Sequence, residues 1–408
     1  MIDRPLTLPS GARLNNRIVK SAMSEALADA RNDPTEGMIA LYRRWGQSGA
    51  ALLITGNTPV ERNHLEHAAN VVLDERSNLE KTRRLAVAAK SGGALALVQI
   101  AHSGRQTPAA INARPLSISD RALDLPGYGT PKIASEDALQ AIIARFAATA
   151  RLAREAGFDG VEVHGAHGYL LSSALSPRIN TRKDRWGGSL VNRSRLLREV
   201  IRAVRAAGGA DFVVAAKLNS SDFQKGGFTH EESIETARML EREGVDLLEI
   251  SGGTFETPVA YQHATQKQST AAREAYFLDY ARDIKRALGI PVMVTGGFRS
   301  AAVMRQALAE DATDLIGMGR PFILDPAFPR KLLAGDIAVT PAPERDFPPA
   351  EALPRGAVLN WFCHQLALQG TRGKADPDLP VIEGHDRYLD RIASSTAGLL
   401  AARAAAPC

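Results

Sequence analysis

Two histidines and a tyrosine stand close together near the middle of the chain, in the segment Val161-Glu162-Val163-His164-Gly165-Ala166-His167-Gly168-Tyr169. Alternating apolar and polar residues before the first histidine predict a short strand, and the glycines predict that it breaks there. Two imidazoles three residues apart beyond a strand end can both donate hydrogen bonds to one small oxygen atom. The neighbouring phenol can supply a proton. These residue types therefore indicate a site that polarises a carbonyl-like oxygen while an adjacent atom is protonated.

A His-x-x-His pair alone is also typical of surface pairs, helix caps and fragments of metal sites, so the surrounding elements matter. Predicted strands cover residues 17–21, 50–55, 94–100, 158–163, 212–218, 247–251, 291–295 and 314–318. Predicted helices alternate with them at 36–46, 79–89, 139–156, 193–207, 230–243, 276–287, 301–308 and 328–333. This alternation implies parallel strands, and eight units fit an α/β fold of the TIM (β/α)₈ barrel type better than an open sheet. No glycine-rich dinucleotide fingerprint follows an early strand, which also disfavours the open sheet.

Further elements are predicted on either side of the barrel. Residues 5–14 form an N-terminal hairpin with its turn at Pro9-Ser10-Gly11, which we expect to close the bottom of the barrel. Residues 1–340 would be the barrel domain. The stretch 341–354 contains five prolines, and two helices follow near 358–369 and 387–405. Residues 341–408 are thus predicted to be a proline-rich linker and a helical C-terminal extension, packed on the barrel or on a second copy in a homo-oligomer.

The composition narrows the class of protein. A hydrophobic fraction of 45% and a charged fraction of 23% are typical of a soluble globular chain. The sequence has no apolar run of about 18 residues and no signal-peptide core, so we expect a cytoplasmic protein without a membrane partner. The only cysteines, Cys363 and Cys408, cannot build a disulfide framework or a cysteine-ligated cluster, and no metal site is predicted. The net charge of +5 is spread out and does not indicate nucleic-acid binding.

The loops after the strands of a TIM barrel build its active site, and a phosphate commonly binds at the last two of these loops. Here those loops carry Gly296, Gly297, Gly319 and Arg320. Glycines let backbone N–H groups approach phosphate oxygens, and an arginine adds a charged fork. We therefore predict a phosphate site there.

Other predicted strand ends carry side chains that could line a ligand. They are Ser21, Met23 and Ser24 after the first strand, Gly56 after the second, Gln99 at the third and Lys217 at the fifth. An inward-facing glutamine or lysine is costly unless it meets a ligand or a partner. With the phosphate loops, these groups could bind a flat heterocycle by its donor and acceptor edge.

The stretch 157–171, Gly-Phe-Asp-Gly-Val-Glu-Val-His-Gly-Ala-His-Gly-Tyr-Leu-Leu, closely resembles the old yellow enzyme family. The same holds for Leu175-Ser176-Pro177, Asn180-Thr181-Arg182, Asp184-Arg185, Gly187-Gly188-Ser189-Leu190 and Asn192-Arg193. These are FMN-dependent NAD(P)H:flavin oxidoreductases and ene-reductases. The resemblance runs from Pro5 through the Gly319-Arg320 loop and so covers essentially the whole barrel.

The resemblance implies a role for each candidate residue. Ser21, Met23, Gly56 and Gln99 would line the isoalloxazine of FMN, and Lys217 would stand beside flavin N1 and O2, where a cation stabilises the reduced flavin. The phosphate would bind at the two glycine loops and Arg320. His164 and His167 would hold the oxygen of an electron-poor small molecule, an enone or nitroalkene. NAD(P)H would reduce the flavin, N5 would pass hydride to the alkene, and Tyr169 would protonate it.

Two departures bear on substrate range. Ser24 stands where some branches carry a redox-tuning cysteine or threonine, and Ala26 replaces an aromatic residue, which predicts a roomier pocket. The chain also lacks the four-cysteine cluster of the longer dienoyl-CoA reductases, so NAD(P)H should reduce the FMN directly. Three other functions stay open: a flavin-dependent N-demethylase of a small methylated amine, a Schiff-base aldolase using Lys217, and a non-catalytic barrel that binds phosphorylated ligands.

Overall fold

Eight parallel strands form a closed barrel in the computed structural model, which describes residues 1–254, 256 and 277–405. The strands are β1 (Ile18–Lys20), β2 (Leu52–Ile54), β3 (Leu95–Ala101), β4 (Gly160–Gly165), β5 (Val213–Asn219), β6 (Leu247–Ser251), β7 (Val292–Thr295) and β8 (Leu315–Met318). Each strand pairs with the next, and β8 returns to β1 with Ile316 opposite Ile18. The predicted TIM barrel is confirmed.

The described helices lie mainly outside this barrel. They are α1 (Glu36–Gly46), α2 (Leu79–Ala89), α3 (Glu136–Glu155), α4 (Leu170–Leu175), α5 (Leu190–Arg193), α6 (Arg195–Gly208), α7 (His230–Arg242), α8 (Leu278–Arg286), α9 (Ala301–Ala309), α10 (Arg320–Leu324), α11 (Phe328–Ala334), α12 (Ala357–Arg372) and α13 (Val381–Ala404). Side chains of Thr35, Asn78 and Ser135 accept a backbone N–H and so determine where α1, α2 and α3 begin. Tyr276, the predicted start of one helix, and Cys408 lie outside the described residues. None of the described helices has the length and apolarity that a bilayer span requires.

Three strands continue past their predicted ends, so Gln99, His164 and Lys217 lie inside the sheet instead of at its border or beyond it. Lys217 is opposite His164 in β4 and Glu249 in β6. The hydrogen bonds of a parallel ladder join backbone groups alone, so a polar side chain does not interrupt them. These polar side chains can stay inside the barrel because they find polar partners there. The pattern of apolar residues therefore predicted the lengths of these three strands but placed them one or two residues too early in the chain.

The interior of the barrel changes from apolar to polar along each strand. Because side chains alternate in direction, Val213, Ala215 and Lys217 share the inward face of β5. The lower part is an apolar cluster that also contains Leu8 and Leu14 of the N-terminal hairpin, whose strands Leu6–Thr7 and Arg13–Leu14 pair antiparallel. The hairpin thus closes the bottom, as predicted, and polar residues gather at the carboxyl ends of the strands.

The C-terminal helices α12 and α13 pack on the barrel. Gln369 of α12 donates to the backbone oxygen of Ile323 at 3.0 Å. On α13, Arg391 donates to the backbone oxygen of Ala26, and Leu399 packs into an apolar cluster of the loop after β2. The extension therefore covers loops that follow β1 and β2. The domain boundary at residue 340, a homo-oligomer and the roomier pocket at Ala26 stay predictions.

Candidate active site

The two histidines of the central motif lie side by side at the carboxyl end of β4. Their ring centroids are 5.1 Å apart, and the ring of Tyr169 lies 4.9 Å from that of His164. The ring of His164 meets each of the other two rings edge to face. His164 is 4% exposed and Tyr169 7% exposed. The structure thus brings the three residues of the proposed chemistry into one cluster at the mouth of the barrel.

Both imidazoles are uncharged at neutral pH. Burial, the neighbouring His167 and the Lys217 cation lower the pKa of His164 well below its usual range. Burial and Lys217 lower the pKa of His167 to about 3. The Nδ1 atom of His164 accepts the N–H of Ala166 at 3.2 Å, so its proton is assigned to Nε2. Each neutral ring therefore carries one N–H that can be donated.

The loop carrying His167 is held in an uncommon conformation. His167 has φ of +63°, in the left-handed region, and Gly168 follows with φ of +81°. The backbone N–H of His167 donates to Asn219 Oδ1 at 3.2 Å, and its carbonyl accepts from Gln106 Nε2 at 2.8 Å. Its Nε2 lies 2.8 Å from the hydroxyl of Ser251. Neighbouring strands thus fix both the backbone and the ring of His167.

Tyr169 precedes α4 and turns its hydroxyl toward the loop after β2. Glu66 and Asn57 are among the groups that act on this hydroxyl. Burial and the charge of Glu66 raise the pKa of Tyr169 well above its usual range. Tyr169 is therefore protonated at neutral pH and has a proton to give.

A buried network of charged groups fills the barrel below the histidines. Lys217 Nζ lies 2.8 Å from Glu249 Oε1, and Gln99 Nε2 donates to Glu162 Oε2 at 2.7 Å. Burial opposes the charge of Lys217, but Glu249 and Glu162 outweigh it and raise the pKa of Lys217. The predicted pair Gln99 and Lys217 is thus brought together through two carboxyl groups.

From the opposite pKa shifts of those two carboxyl groups, we infer that they hold one proton between them. Glu162 Oε1 and Glu249 Oε2 are buried and have no recorded hydrogen-bond partner within the described part of the chain. Burial and the adjacent Glu249 raise the pKa of Glu162 well above its usual range. Against burial, Lys217 lowers the pKa of Glu249. Glu162 is therefore the protonated partner and donates to ionised Glu249, which balances the charge of Lys217.

Residues of the β1 and β2 loops surround the same mouth. The Ser21 hydroxyl lies 2.7 Å from that of Thr295, and Met23 packs against Gly319, where an added Cβ would come within 3.1 Å of its sulfur. The N–H of Gly56 donates to Glu25 Oε1 at 2.9 Å, and a Cβ on Gly56 would lie 2.1 Å from Glu25 Oε2. Only glycine fits at that position.

Ser24, the other predicted residue of the β1 loop, donates its hydroxyl to Glu66 Oε2 at 2.6 Å. It therefore contacts the carboxylate whose charge acts on Tyr169. This contact links the β1 loop to the proton-bearing phenol.

The predicted phosphate loops converge on an anion that the chain itself provides. Gly296 and Gly297 have φ of +131° and +83°, which favours glycine in this turn. Arg320 Nη1 lies 3.4 Å from Glu344 Oε1, and Arg299 Nη2 lies 2.5 Å from the same oxygen. Although burial opposes it, the two guanidinium groups lower the pKa of Glu344. The site therefore attracts an anionic oxygen, which is the chemistry that a phosphate requires.

A second cluster, Glu61, His64 and His102, brings its ligand atoms within 4.8 Å of one another. His64 Nε2 accepts the N–H of Leu116 at 2.7 Å, and His102 Nδ1 accepts that of Gly104 at 3.1 Å. The protons of both rings therefore lie on the nitrogens that face Glu61. A metal would need those nitrogens deprotonated. Hydrogen bonds within this cluster therefore connect the loops that carry its residues.

Sequence reasoning missed several residues of the site: Asn219, Ser251, Gln106, Glu249, Glu66, Arg299 and Glu344. Glu249 had a detectable signal, because it is a charge within an otherwise apolar strand pattern, as is Glu162. The loop residues Glu66 and Glu344 had none, since exposed acidic residues are common in loops.

Comparisons with known proteins agree with this geometry. The sequence pattern of the NADH:flavin oxidoreductase / NADH oxidase family matches residues 2–336. The chain is 36% identical over 339 residues to the NADH-dependent flavin oxidoreductase nadA of Aspergillus parasiticus, covering 79% of this chain and 76% of that protein. It is 32% identical over 400 residues to the NADH-dependent flavin oxidoreductase iliE of Neonectria sp. (strain DH2), covering 91% of this chain. It spans 52% of that relative, about half its length.

Two solved structures share the fold. A 2-naphthoyl-CoA reductase in complex with 2-naphthoyl-CoA superposes with a TM-score of 0.76 and 26% identity, over 83% of this chain and 53% of that one. The old yellow enzyme homologue from Zymomonas mobilis superposes with a TM-score of 0.70 and 23% identity, over 87% and 98% of the two chains. The old yellow enzyme resemblance of the sequence is confirmed. The chain belongs to the NADH:flavin oxidoreductase / NADH oxidase family, with FMN as its cofactor and NAD(P)H as its electron donor.

Proposed function

We propose that this flavin oxidoreductase is an ene-reductase that acts on electron-poor alkenes such as enones and nitroalkenes. The observation that carries the proposal is the contact of the neutral His164 ring with both the neutral His167 ring and the buried, protonated Tyr169, at the end of one barrel strand. An activated alkene has a polar oxygen at one end and needs a proton at the carbon next to it. This cluster offers N–H donors for the oxygen and an O–H for the carbon.

Each residue has a separate task in this reaction. Bound FMN supplies the hydride for the β-carbon of the alkene. His164 and His167 donate to the substrate oxygen and stabilise the charge that it gains, as an oxyanion hole does. Tyr169 gives its proton to the α-carbon. Being neutral, the histidines donate without competing with Tyr169 as proton sources.

We also propose where this chain would hold the flavin. The residues fit the cofactor because they combine an anion site with a polar interior edge. Arg320, with Gly296, Gly297 and Gly319, would bind the phosphate. Ser21, Met23, Ser24, Gly56 and Gln99 would surround the ring system, and Lys217 would stand at its N1 edge.

Replacing Arg320 with alanine is expected to weaken FMN retention about tenfold to a hundredfold, because a charge-assisted hydrogen bond contributes roughly 1.5–3 kcal/mol. Fluorescence titration of the apoprotein with FMN measures this. Arg286→Ala, at an exposed ion pair of α8, is the control and should bind FMN normally. Glu344→Gln removes a competing carboxylate and should retain FMN at least as tightly. Parental affinity in Arg320→Ala would contradict the phosphate assignment.

The shared proton of Glu162 and Glu249 predicts an effect on the potential of bound FMN. Glu162→Gln mimics the protonated acid and should leave the potential unchanged. The double change to Gln at Glu162 and Glu249 removes the anion, and the uncompensated Lys217 should stabilise the reduced flavin. A gain of roughly 1–2 kcal/mol corresponds to an increase of about 20–45 mV. Anaerobic titration with a reference dye measures it, and a comparable increase in Glu162→Gln alone would contradict the assigned proton.

The aldolase alternative is disfavoured by the environment of Lys217. A Schiff base requires a neutral amine, whereas Glu249 and Glu162 raise the pKa of Lys217 and keep it charged.

Anaerobic assays separate the ene-reductase from the N-demethylase. The FMN should be bleached by NADH or NADPH and then reoxidised by enones or nitroalkenes. If neither enones nor nitroalkenes reoxidise the reduced enzyme, and a methylated amine reduces the flavin, the enzyme is instead an N-demethylase.

A further inference from the structure

We propose that Phe362, on helix α12 of the C-terminal extension, is a positioning residue for the phosphate-binding arginine, Arg320. The proposal rests on the FMN placement proposed above, because it concerns the same phosphate site. It adds a residue that lies beyond residues 2–336, the part of the chain that the family pattern matches. The extension thereby takes part in holding the cofactor.

Two residues of the extension hold the guanidinium group of Arg320. Its Cζ atom lies over the face of the Phe362 ring, 5.2 Å from the ring centroid. Its Nη1 atom lies 3.4 Å from Glu344 Oε1. Among the described residues, these are the cation–π and ion-pair partners of Arg320, and both follow residue 340. The direction of the guanidinium fork is therefore set from outside the barrel strands.

The packing of α12 fixes Phe362 in place. Its side chain is 2% exposed and belongs to the main apolar core. The ring of Trp361 meets it edge to face, with centroids 4.9 Å apart. On the same helix, Gln369 Nε2 donates to the backbone oxygen of Ile323, in α10, at 3.0 Å. Since α10 begins at Arg320, the ring and the guanidinium group belong to two helices that are bonded to each other.

Arg320 benefits from such a support because its side chain is 30% exposed. A long, exposed arginine populates many rotamers and loses this freedom when it binds a phosphate. A fixed aromatic ring attracts the cation to one position before the ligand arrives. It leaves the N–H groups at the edge of the guanidinium plane able to donate to phosphate oxygens. Phe362 therefore reduces the conformational entropy that is lost when FMN binds.

The aromatic face also attracts Arg320 without adding a negative charge to the site. Glu344, the other partner, is shared with Arg299, whose Nη2 lies 2.5 Å from the same oxygen. A second carboxylate in place of Phe362 would repel a phosphate, whereas an aromatic ring carries no net charge. The two guanidinium groups and one carboxylate thus keep a net positive charge toward an incoming anion.

The decisive variant is Phe362→Leu, which keeps an apolar side chain but removes the aromatic face. The fraction of FMN that the holoenzyme releases on dilution, monitored through flavin fluorescence, gives the affinity. FMN should be bound about threefold to tenfold more weakly, the usual contribution of a cation–π contact. The affinity of the apoprotein for riboflavin, which has the same ring system but no phosphate, should not change. Phe362→Tyr keeps the aromatic face and should retain most of the affinity for FMN.

Phe347→Leu is the matched control for packing within the extension. Phe347 packs on Trp361, with ring centroids 5.1 Å apart, on the same extension. This variant should bind FMN like the parent. A double-mutant cycle is the second control. In the Arg320→Ala background, Phe362→Leu should cause no additional loss of FMN, because a positioning residue acts only through the residue that it holds.

Five results would overturn the positioning role of Phe362. They are parental FMN affinity in Phe362→Leu, equal weakening for FMN and riboflavin, equal weakening in Phe362→Tyr, the same FMN loss in Phe347→Leu, and a full additional loss in the Arg320→Ala background. If Arg320→Ala itself binds FMN like the parent, the proposed phosphate site is wrong. If Arg320→Ala loses FMN while Phe362→Leu does not, only the role of Phe362 is wrong.

Discussion

Tyr169→Phe is expected to slow enone reduction by about a hundredfold to ten-thousandfold, the range typical of general acid catalysis. The substitution keeps the ring that packs edge to face on His164 but removes the hydroxyl that would donate the proton. FMN content and flavin reduction by NAD(P)H should stay close to normal, because neither needs that proton. Stopped-flow reoxidation of the prereduced variant by an enone measures the effect directly.

A quinone provides the matched control for this variant, since its reduction requires no protonation at carbon. Reoxidation by the quinone should remain fast while reoxidation by the enone is slow. If both acceptors slow equally and the melting temperature falls, Tyr169 serves only to pack the loop before α4, and the role of proton donor is wrong.

Changing His164 or His167 to alanine is expected to cost roughly 3 kcal/mol, or about a hundredfold, in enone reduction, the usual contribution of an oxyanion donor. Flavin reduction by NAD(P)H should be less affected. Binding of phenolate ligands, seen as a long-wavelength charge-transfer band with the flavin, should weaken in parallel. An unchanged band in both single variants would place the two histidines outside the substrate site.

The protonation of the pair can be examined without turnover. Burial lowers the pKa of both rings, that of His167 to about 3, so neither should titrate between about pH 5 and pH 8, unlike a free histidine near 6.5. Because the unfolded chain binds these protons more readily, the two rings contribute stability above pH 6.5 that decreases as the pH falls below it. Nuclear magnetic resonance of ring-labelled histidine distinguishes this from an exposed pair.

Much of the architecture was determined by local patterns in the sequence. The eight strands and the hairpin follow from alternating apolar residues and turn-forming glycine and proline, and helices α1 and α2 were predicted to the residue. The chemistry of the His164-to-Tyr169 segment could also be predicted from neighbouring residues, since its three functional groups lie within six residues at one strand end. The family resemblance over the whole barrel then predicted the cofactor.

The tertiary structure alone decided which partners these residues have. The register of β4, β5 and β6 sets His164, Lys217 and Glu249 side by side, so the predicted flavin-binding lysine is balanced by a carboxylate. Glu66 contacts Ser24, and Glu344 contacts Arg320, across loops that carry no periodic pattern. Local patterns depend on nearby residues, whereas these contacts arise only when the closed barrel brings distant loops together, and the charges of the site depend on those contacts.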